Sequence, residues 1–523
     1  MTHWTRLLVL ALVVPSLAIA QQPTTPTATL QPAPAAGLSL ADAFSTALAK
    51  NPDYLQWLNN ESPANMAVKS AYASFVPNAS VSGGFNYTGS GSSNFGGTNV
   101  IKTSASVGSS YSIDLDWTLN GRVLATPGQS KANLRATKEQ IQAANVALRA
   151  AVQTAYLNVL QTNARIDVVT QQVARNKVFL DLAKARYQVG QATMLDVRQA
   201  EVTLGQSEVD LLVAKQQNAD ARLELFRLMG TAAPDGFEQL TLTDSFPVLQ
   251  PSYSLDQLLA TAGQVNPNLL AAEAASDATK FNLSAVKGEY FPSLRASASW
   301  QGYTQQYTDD QSLIDQAYGS ASATAANCSF QNEVIAGLTY GPGGMPGQPN
   351  GGFIPDCNAY AGLNPAGTAL DPAVSNQIIA ANDVFPWDFT TQPFQVFAGI
   401  SLPIFTGLQR ETRVSEAKAQ RDDALERVRA QSLLVRQQVT SRYLAIDATY
   451  KAIGVAEANR IAAADQLRLA QDRYRLGNGT ALELSDSEGA VQRAEGTYVD
   501  AVYAYHKAVV ALEEAVGQPL RQS

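Results

Sequence analysis

Val107-Gly-Ser-Ser-Tyr-Ser-Ile-Asp-Leu-Asp-Trp-Thr-Leu119 carries apolar side chains at Val107, Tyr111, Ile113, Leu115, Trp117 and Leu119 and, between them, Gly108, Ser110, Ser112, Asp114, Asp116 and Thr118. Successive side chains of a strand point to opposite faces, so a period of two describes a strand with one apolar and one polar face. Weaker alternation recurs over 79–87, 294–303 and 394–404, the last through Val396, Ala398, Ile400 and Leu402. Strands of about ten residues with this dyad pattern build transmembrane barrels. The same pattern suits a soluble sheet packed on helices, provided that a helix has a broad apolar face to cover it.

The helical segments offer no such face. Ile141, Leu148, Val152, Val159 and Ile166 form a heptad-like stripe in Ala- and Gln-rich surroundings, and Val428, Val435, Val439, Ile446 and Ile453 repeat it. Such narrow stripes suit coiled-coil seams with water on both sides. The two patterns run without Pro over 131–189 and 411–476, and about 60 helical residues reach roughly 90 Å. Four strands without cover belong in lipid, where two open edges would leave backbone groups unsatisfied, so copies of the same chain must close the barrel. Two hairpins per chain give 8, 12 or 16 strands, and a conduit needs more than about eight.

The chain is a duplicated unit. Leu38-Ser-Leu-Ala-Asp with Asn51-Pro52 returns about 215 residues later as Tyr253-Ser-Leu-Asp-Gln with Asn266-Pro267, and Phe75-Val76-Pro77 as Tyr290-Phe291-Pro292. Beyond the strands the offset grows to about 287: Arg186-Tyr187-x-x-Gly190 returns as Arg473-Tyr474-x-x-Gly477, and Leu228-Met229-Gly230 as Ala515-Val516-Gly517. The second copy thus holds about 72 extra residues within 304–393. The first repeat is expected over 38–230 with long helices over 131–229, the second over 253–517 with long helices over 411–517. Gly190-Gln-Ala-Thr193 and Gly477-Asn-Gly-Thr480 place a left-handed cap beside a helix N-cap, so each link folds its flanking helices into a hairpin.

Arg6, the apolar run Leu7 to Ala18 and the Ala18-Ile19-Ala20 end read as a secretory signal over 1–20. Residue 21 is Gln, so a lipid-bearing Cys is not expected there, and 21–37 is a Pro/Thr-rich, unstructured lead-in. No later apolar run is long enough for a membrane helix. A formal charge of −8 without a long basic block makes nucleic acid a poor partner. Two histidines, and no nucleotide loop, metal cluster or nucleophile–base pair, point away from an enzyme and from any cofactor. Cys328 and Cys357 favour a disulfide in an exported chain, which in the loop-entropy model is a constraint of about 3 to 4 kcal/mol. No Lys or Arg occurs between Arg295 and Arg410, while Asp309, Asp310, Asp315, Glu333, Asp356, Asp371, Asp383 and Asp388 do. That composition reads as a solvated surface loop in preference to a cation or ligand site, which it would also suit.

From about Leu38 to Gly517 the chain resembles the TolC family of outer-membrane efflux and secretion channels. The resemblance rests on the helix-strand-strand-helix-helix unit used twice, on Pro77, Pro292 and Pro403 near helix-strand junctions, and on the paired Arg-Tyr-x-x-Gly tips. It implies a mixed α and transmembrane β fold: a homotrimer whose twelve-stranded barrel lies in outer-membrane lipid, continued by an α-helical barrel tapering to a closed periplasmic tip. A periplasmic adaptor and an inner-membrane pump complete such assemblies. By position, Glu483 and Asp486 match acidic rings at the constriction, and Asp196 and Tyr474 match residues that tie neighbouring helices in the closed state. Gly479 departs from the pattern, because it stands where the family's best-known member has a basic residue. Thr193-x-x-Asp196 and Thr480-x-x-Glu483 also read as capping boxes, whereas Asp486 lies beyond the box. Arg186, Tyr187, Gly190, Arg473 and Gly477 are candidates to meet an adaptor hairpin; Arg186, Tyr187, Arg473 and Tyr474 read equally as late-turn cations and packing rings. Passive export is the leading expectation, and a soluble periplasmic coiled-coil scaffold is the alternative. Drug, metal and protein cargo are not distinguished.

Overall fold

The computed structural model describes residues 37–95, 99–337 and 356–520. The expected signal and all but the last residue of the lead-in lie outside them. Helices α1 (Leu40–Lys50), α2 (Pro52–Asn59) and α3 (Glu61–Ala73) lead into strand β1 (Asn78–Thr88). A small hairpin, β2 (Gly91–Phe95) and β3 (Asn99–Thr103), precedes β4 (Ser106–Leu119), which passes into α4 (Gly121–Gln188) and α5 (Met194–Met229). The second copy runs through α6 (Leu255–Val265), α7 (Pro267–Lys287) and β5 (Ser293–Tyr307). Its insertion holds α8 (Asp310–Gly337), α9 (Cys357–Tyr360), α10 (Pro372–Asn382) and the short β6 (Thr390–Thr391) before β7 (Gln395–Ser401), α11 (Gln409–Arg475) and α12 (Ala481–Val516).

Two features differ from the sequence expectation. α4 starts well before residue 131, because Asn120 caps it by accepting from the Val123 amide at 3.0 Å, and Pro127 is carried inside the helix. The insertion, expected as a surface loop, holds three helices among its described residues: 310–337 is rich in Ala, Ser and Gln and lacks Pro, and Ala321, Ala325, Leu363 and Leu370 form a small core.

β1, β4 and β5 pair in that order, and the far edge of β5 is shared by β7 and β6; every pairing is antiparallel. Register puts Val81, Ile113 and Trp300 in one row, Ala79, Leu115, Ala298 and Val396 in another, and Leu119, Leu294 and Ile400 in a third. The opposite face carries Ser80, Asp114 and Ser299, then Asp116 and Ser297. Among the described residues no helix covers the apolar face: Val81 is 77% and Ile400 73% exposed. β1 and β7 present unpaired edges. This is the uncovered, unclosed sheet that the alternation of β4 implies, and it leaves the scaffold alternative without a way to bury its apolar rows.

α4 and α11, of 68 and 67 residues, each extend roughly 100 Å. Their seams are the sequence stripes. Leu148, Val152 and Val159 bury against Ala43, Ala47, Leu225, Phe226 and Met229; Val435, Val439 and Ile446 bury against Leu258, Ala262, Leu512 and Val516. The duplicated Asn-Pro and Gly motifs hold both waists alike. Asn51 caps α2 by accepting from the Tyr54 amide and donates Nδ2–H to the Leu228 carbonyl at 2.8 Å; Asn266 caps α7 and donates to Ala515 at 2.9 Å. The following Gly230 and Gly517 have φ of 70° and 95°, and a Cβ on Gly230 would lie 2.3 Å from the Lys50 carbonyl. Asn51→Ala removes a cap and orphans a carbonyl, so a loss of about 1 to 3 kcal/mol is expected. Urea unfolding monitored at the waist checks it, and Asn266→Ala should behave the same way.

Candidate gate at the helical tip

Each long helix ends in a five-residue link, 189–193 in the first copy and 476–480 in the second. Gly190 (φ 75°) and Gly477 (φ 81°) take the left-handed conformation that ends α4 and α11. Thr193 and Thr480 then cap α5 and α12, each hydroxyl accepting from the amide three residues on, of Asp196 at 3.2 Å and Glu483 at 3.1 Å. The four helices merge around Phe179, Leu180, Ala183, Val197, Ala200, Leu467, Ala470, Tyr474, Ala481, Leu484 and Val491. The tip is one packed unit rather than two separate hairpins.

The three acids singled out from sequence fall into three environments. Asp196 closes a full capping box, its Oδ2 accepting from the Thr193 amide at 2.8 Å and hydroxyl at 2.9 Å. Glu483 does not reciprocate its cap; its carboxylate pairs with Arg473 at 2.7 Å across the hairpin link. Asp486 is exposed and forms no hydrogen bond or ion pair among the described residues.

Arg186 turns inward. Its guanidinium lies 4.7 Å over the Tyr474 ring and donates to the Tyr474 carbonyl, tying α4 to α11. Phe179 meets the same ring edge-on at 5.6 Å. Tyr474 is buried, and its hydroxyl has no hydrogen-bond partner among the described residues. Burial pushes its pKa up, Arg186 opposes that, and Asp196 adds to it. Tyr187 is exposed beside this pair, and Arg473 serves Glu483. Far from the tip, Cys328 and Cys357 are bonded to each other with Cα atoms 5.7 Å apart.

A buried polar network escaped the sequence reading. Arg175 on α4 reaches Glu488 and Glu495 on α12, both at 3.2 Å, and donates to Gln172 at 2.8 Å. Gln471 on α11 approaches the other Glu488 oxygen at 3.5 Å, and Asn176 donates to the Thr203 carbonyl on α5 at 3.4 Å. Glu488 is only 2% exposed, and burial pushes its pKa up against the pull of Arg175. Its signal was available: Leu484, Glu488, Val491 and Glu495 are spaced four, three and four apart, so both acids occupy seam positions. Higher up, Asp500 on α12 accepts from Gln161 at 2.7 Å and pairs with Arg165, and Lys507 donates to Gln161 at 2.5 Å. The α4–α12 contact between the hairpins is therefore threaded with charge, and the α4–α5 seam holds a buried polar set of its own, Asn218 donating to Thr162 and Asn163 at 2.8 and 2.7 Å and Arg222 to Asn163 at 3.2 Å.

A model of the family described as outer membrane efflux protein matches residues 43–231 and 353–518. The chain belongs to that family. FusA of Burkholderia cepacia, a fusaric acid resistance protein, is 26% identical over 282 residues, 53% of this chain and 48% of FusA. TtgF of Pseudomonas putida, a toluene efflux pump outer membrane protein, is 28% identical over 191 residues, 36% of this chain and 38% of TtgF. The matched stretches thus span about half or less of these curated relatives. Among solved structures, the outer membrane protein VceC of Vibrio cholerae superposes with a TM-score of 0.64 at 15% identity, covering 92% of this chain and 97% of VceC.

Family membership and the uncovered face agree: the sheet of this outer membrane efflux protein lies in the outer membrane, and its helices hang into the periplasm. The Arg175 network is then a feature of the periplasmic tip. None of the described residues forms a cluster of His, Cys, Asp and Glu that could hold a metal ion, and the chemistry of the tip is charge and packing.

Proposed function

We infer that the chain is the exit duct of a tripartite efflux or type I secretion system. The observation that carries this reading is the sheet, apolar on an uncovered face and open at both edges, seated on helices about 100 Å long. Three copies give twelve strands, enough for an open lumen lined by the Ser- and Asp-bearing face. The helices support the same assembly. Leu195, Val202 and Val209 repeat every seven residues along α5 and all three are exposed, a seam without a partner among the described residues.

At the tip, Asp486 and Glu483 on three chains would set two acidic levels around the axis and favour cations there. Tyr474 and Asp196 belong to the closing contacts. Tyr187, Gly190, Arg473 and Gly477, with Arg186 behind them, lie where an adaptor's helical hairpin would engage. Opening is then a shear of one hairpin against the other along the charged α4–α12 contact, driven by adaptor and pump. The conduit supplies no energy, and cargo choice rests with the pump.

Fractionation tests the placement. The chain is expected to stay with outer membranes through high-salt and alkaline washes and to leave only in detergent. Release by washing alone would overturn the duct reading and restore a soluble scaffold.

A further inference from the structure

The apolar face of the sheet has a flaw near its outer end. Ser109 and Thr304 sit opposite each other in the row that also holds Phe85. Two hydroxyls facing acyl chains would be costly unless bonded. The insertion covers them: the segment Phe385-Pro-Trp-Asp-Phe389, returning from α10, lies across this row. Ser109 Oγ donates to the Pro386 carbonyl at 2.6 Å and is 2.7 Å from Thr304 Oγ1, which also accepts from the Ser109 amide at 3.0 Å. Ser109 is left 2% and Thr304 3% exposed.

The segment replaces the polar patch with rings. Phe385 and Trp387 meet Phe85 edge-on at 6.0 and 5.9 Å, and Phe389 meets Tyr111 at 4.9 Å, while Tyr111 packs on Trp300 at 6.3 Å. Trp387 remains 71% exposed. Height fixes what it faces. From Leu119 at the inner end to Ser109, strands rising about 3.3 Å per residue and tilted about 40° climb roughly 25 Å, the height of an outer-membrane apolar band. At the inner end Trp117 donates its indole N–H to the Phe75 carbonyl at 3.0 Å, with Phe291 and Phe405 exposed below. Rings at both levels match the two interfaces of a bilayer.

We propose that Phe385–Phe389 is a lipid-facing strap, an interfacial anchor by which the extracellular insertion re-faces the barrel wall and seats Trp387 at the headgroup level of the outer leaflet. The inference rests on the reading of the sheet as a membrane wall. It commits the occupant to lipid, because the strap continues the lipid-facing rows.

The test uses the full chain reconstituted in phosphatidylcholine vesicles whose acyl chains carry bromine either near the headgroup or near the mid-chain. Trp387 emission is taken as the difference between the native chain and Trp387→Phe, and Trp300 emission as the difference from Trp300→Phe. Shallow bromine is expected to quench Trp387 about twofold or more better than deep bromine, with little quenching by aqueous iodide. Strong iodide quenching without bromolipid quenching would overturn the strap, as would shielding of Trp387 from both, which would mean that a neighbouring protomer covers it. If Trp300 contacts bromolipid and Trp387 does not, the strap falls and the membrane wall stands; if neither does, the wall itself falls. Ser109→Ala with Thr304→Val supplies a second arm: with the hydroxyls gone, the strap should loosen and iodide quenching of Trp387 should rise. Unchanged quenching in that variant counts against the strap's hydrogen-bonded seat.

Discussion

Arg175→Ala is expected to raise hydrogen exchange across 172–180 and 484–495 at least about 100-fold. The substitution leaves Glu488, 2% exposed, and its neighbour Glu495 without their shared cation. Breaking a buried pair by removing one partner costs about 3 to 5 kcal/mol, because the remaining charge stays desolvated. Replacing the most buried pair as Arg175→Met with Glu488→Leu should restore much of the protection, since no charge is then left at the 2% exposed position and Glu495, 19% exposed, keeps access to water. Unchanged exchange in Arg175→Ala would show that the network carries no weight. pH gives the sign independently. Burial raises the Glu488 pKa, so its favourable contribution to folding is full below the ordinary carboxylate value of about 4.3 and is lost as pH rises through the raised folded value. Glu488→Gln should flatten the pH dependence of tip protection in that window, with its largest gain over the native chain on the alkaline side.

Asp486→Ala combined with Glu483→Ala should lower the preference of single channels for cations over anions by up to about tenfold in planar bilayers at low salt. Each change removes one negative charge per chain from a site that the oligomer triples. The two residues are not equivalent, however. Asp486 has no partner among the described residues, so its loss should act through the field alone, whereas Glu483→Ala also releases Arg473, held at 2.7 Å. The Glu483 variant should therefore also alter gating noise, and raising ionic strength should shrink both effects as the charges are screened. Unchanged selectivity in the double variant would remove these acids from the gate. Export in cells is expected to survive, because an adaptor-opened tip no longer depends on its closing contacts.

The parts of this molecule that a sequence displays are those set by local period. β4 alternates over most of its length, and its faces could be assigned residue by residue before any pairing was known. The stripes at Leu148, Val152 and Val159 and at Val435, Val439 and Ile446 became seams, and the Gly and Thr of each link became a left-handed cap and an N-cap. Capping geometry also sorted the acids: Thr193 and Asp196 close a box, while the matching spacing at Thr480 and Glu483 does so on one side only. What stayed hidden depends on partners far along the chain. Arg175 and Glu488 are 313 positions apart, and only the acid's place on a seam hinted at burial. The strap was hidden for the same reason, since Ser109 reads as an ordinary lapse in alternation until Pro386 arrives from 277 positions away. The helicity of the insertion was lost behind its acidic composition, which describes a surface and not a backbone.

Closure of the sheet in lipid requires an oligomer. The complex extracted from outer membranes in mild detergent, weighed by light scattering with the detergent's share removed, should contain three chains, its strands protected from exchange along β1 and β7 alike. A monomer that keeps its strands and still conducts would contradict it, because a single chain leaves both sheet edges unpaired in lipid.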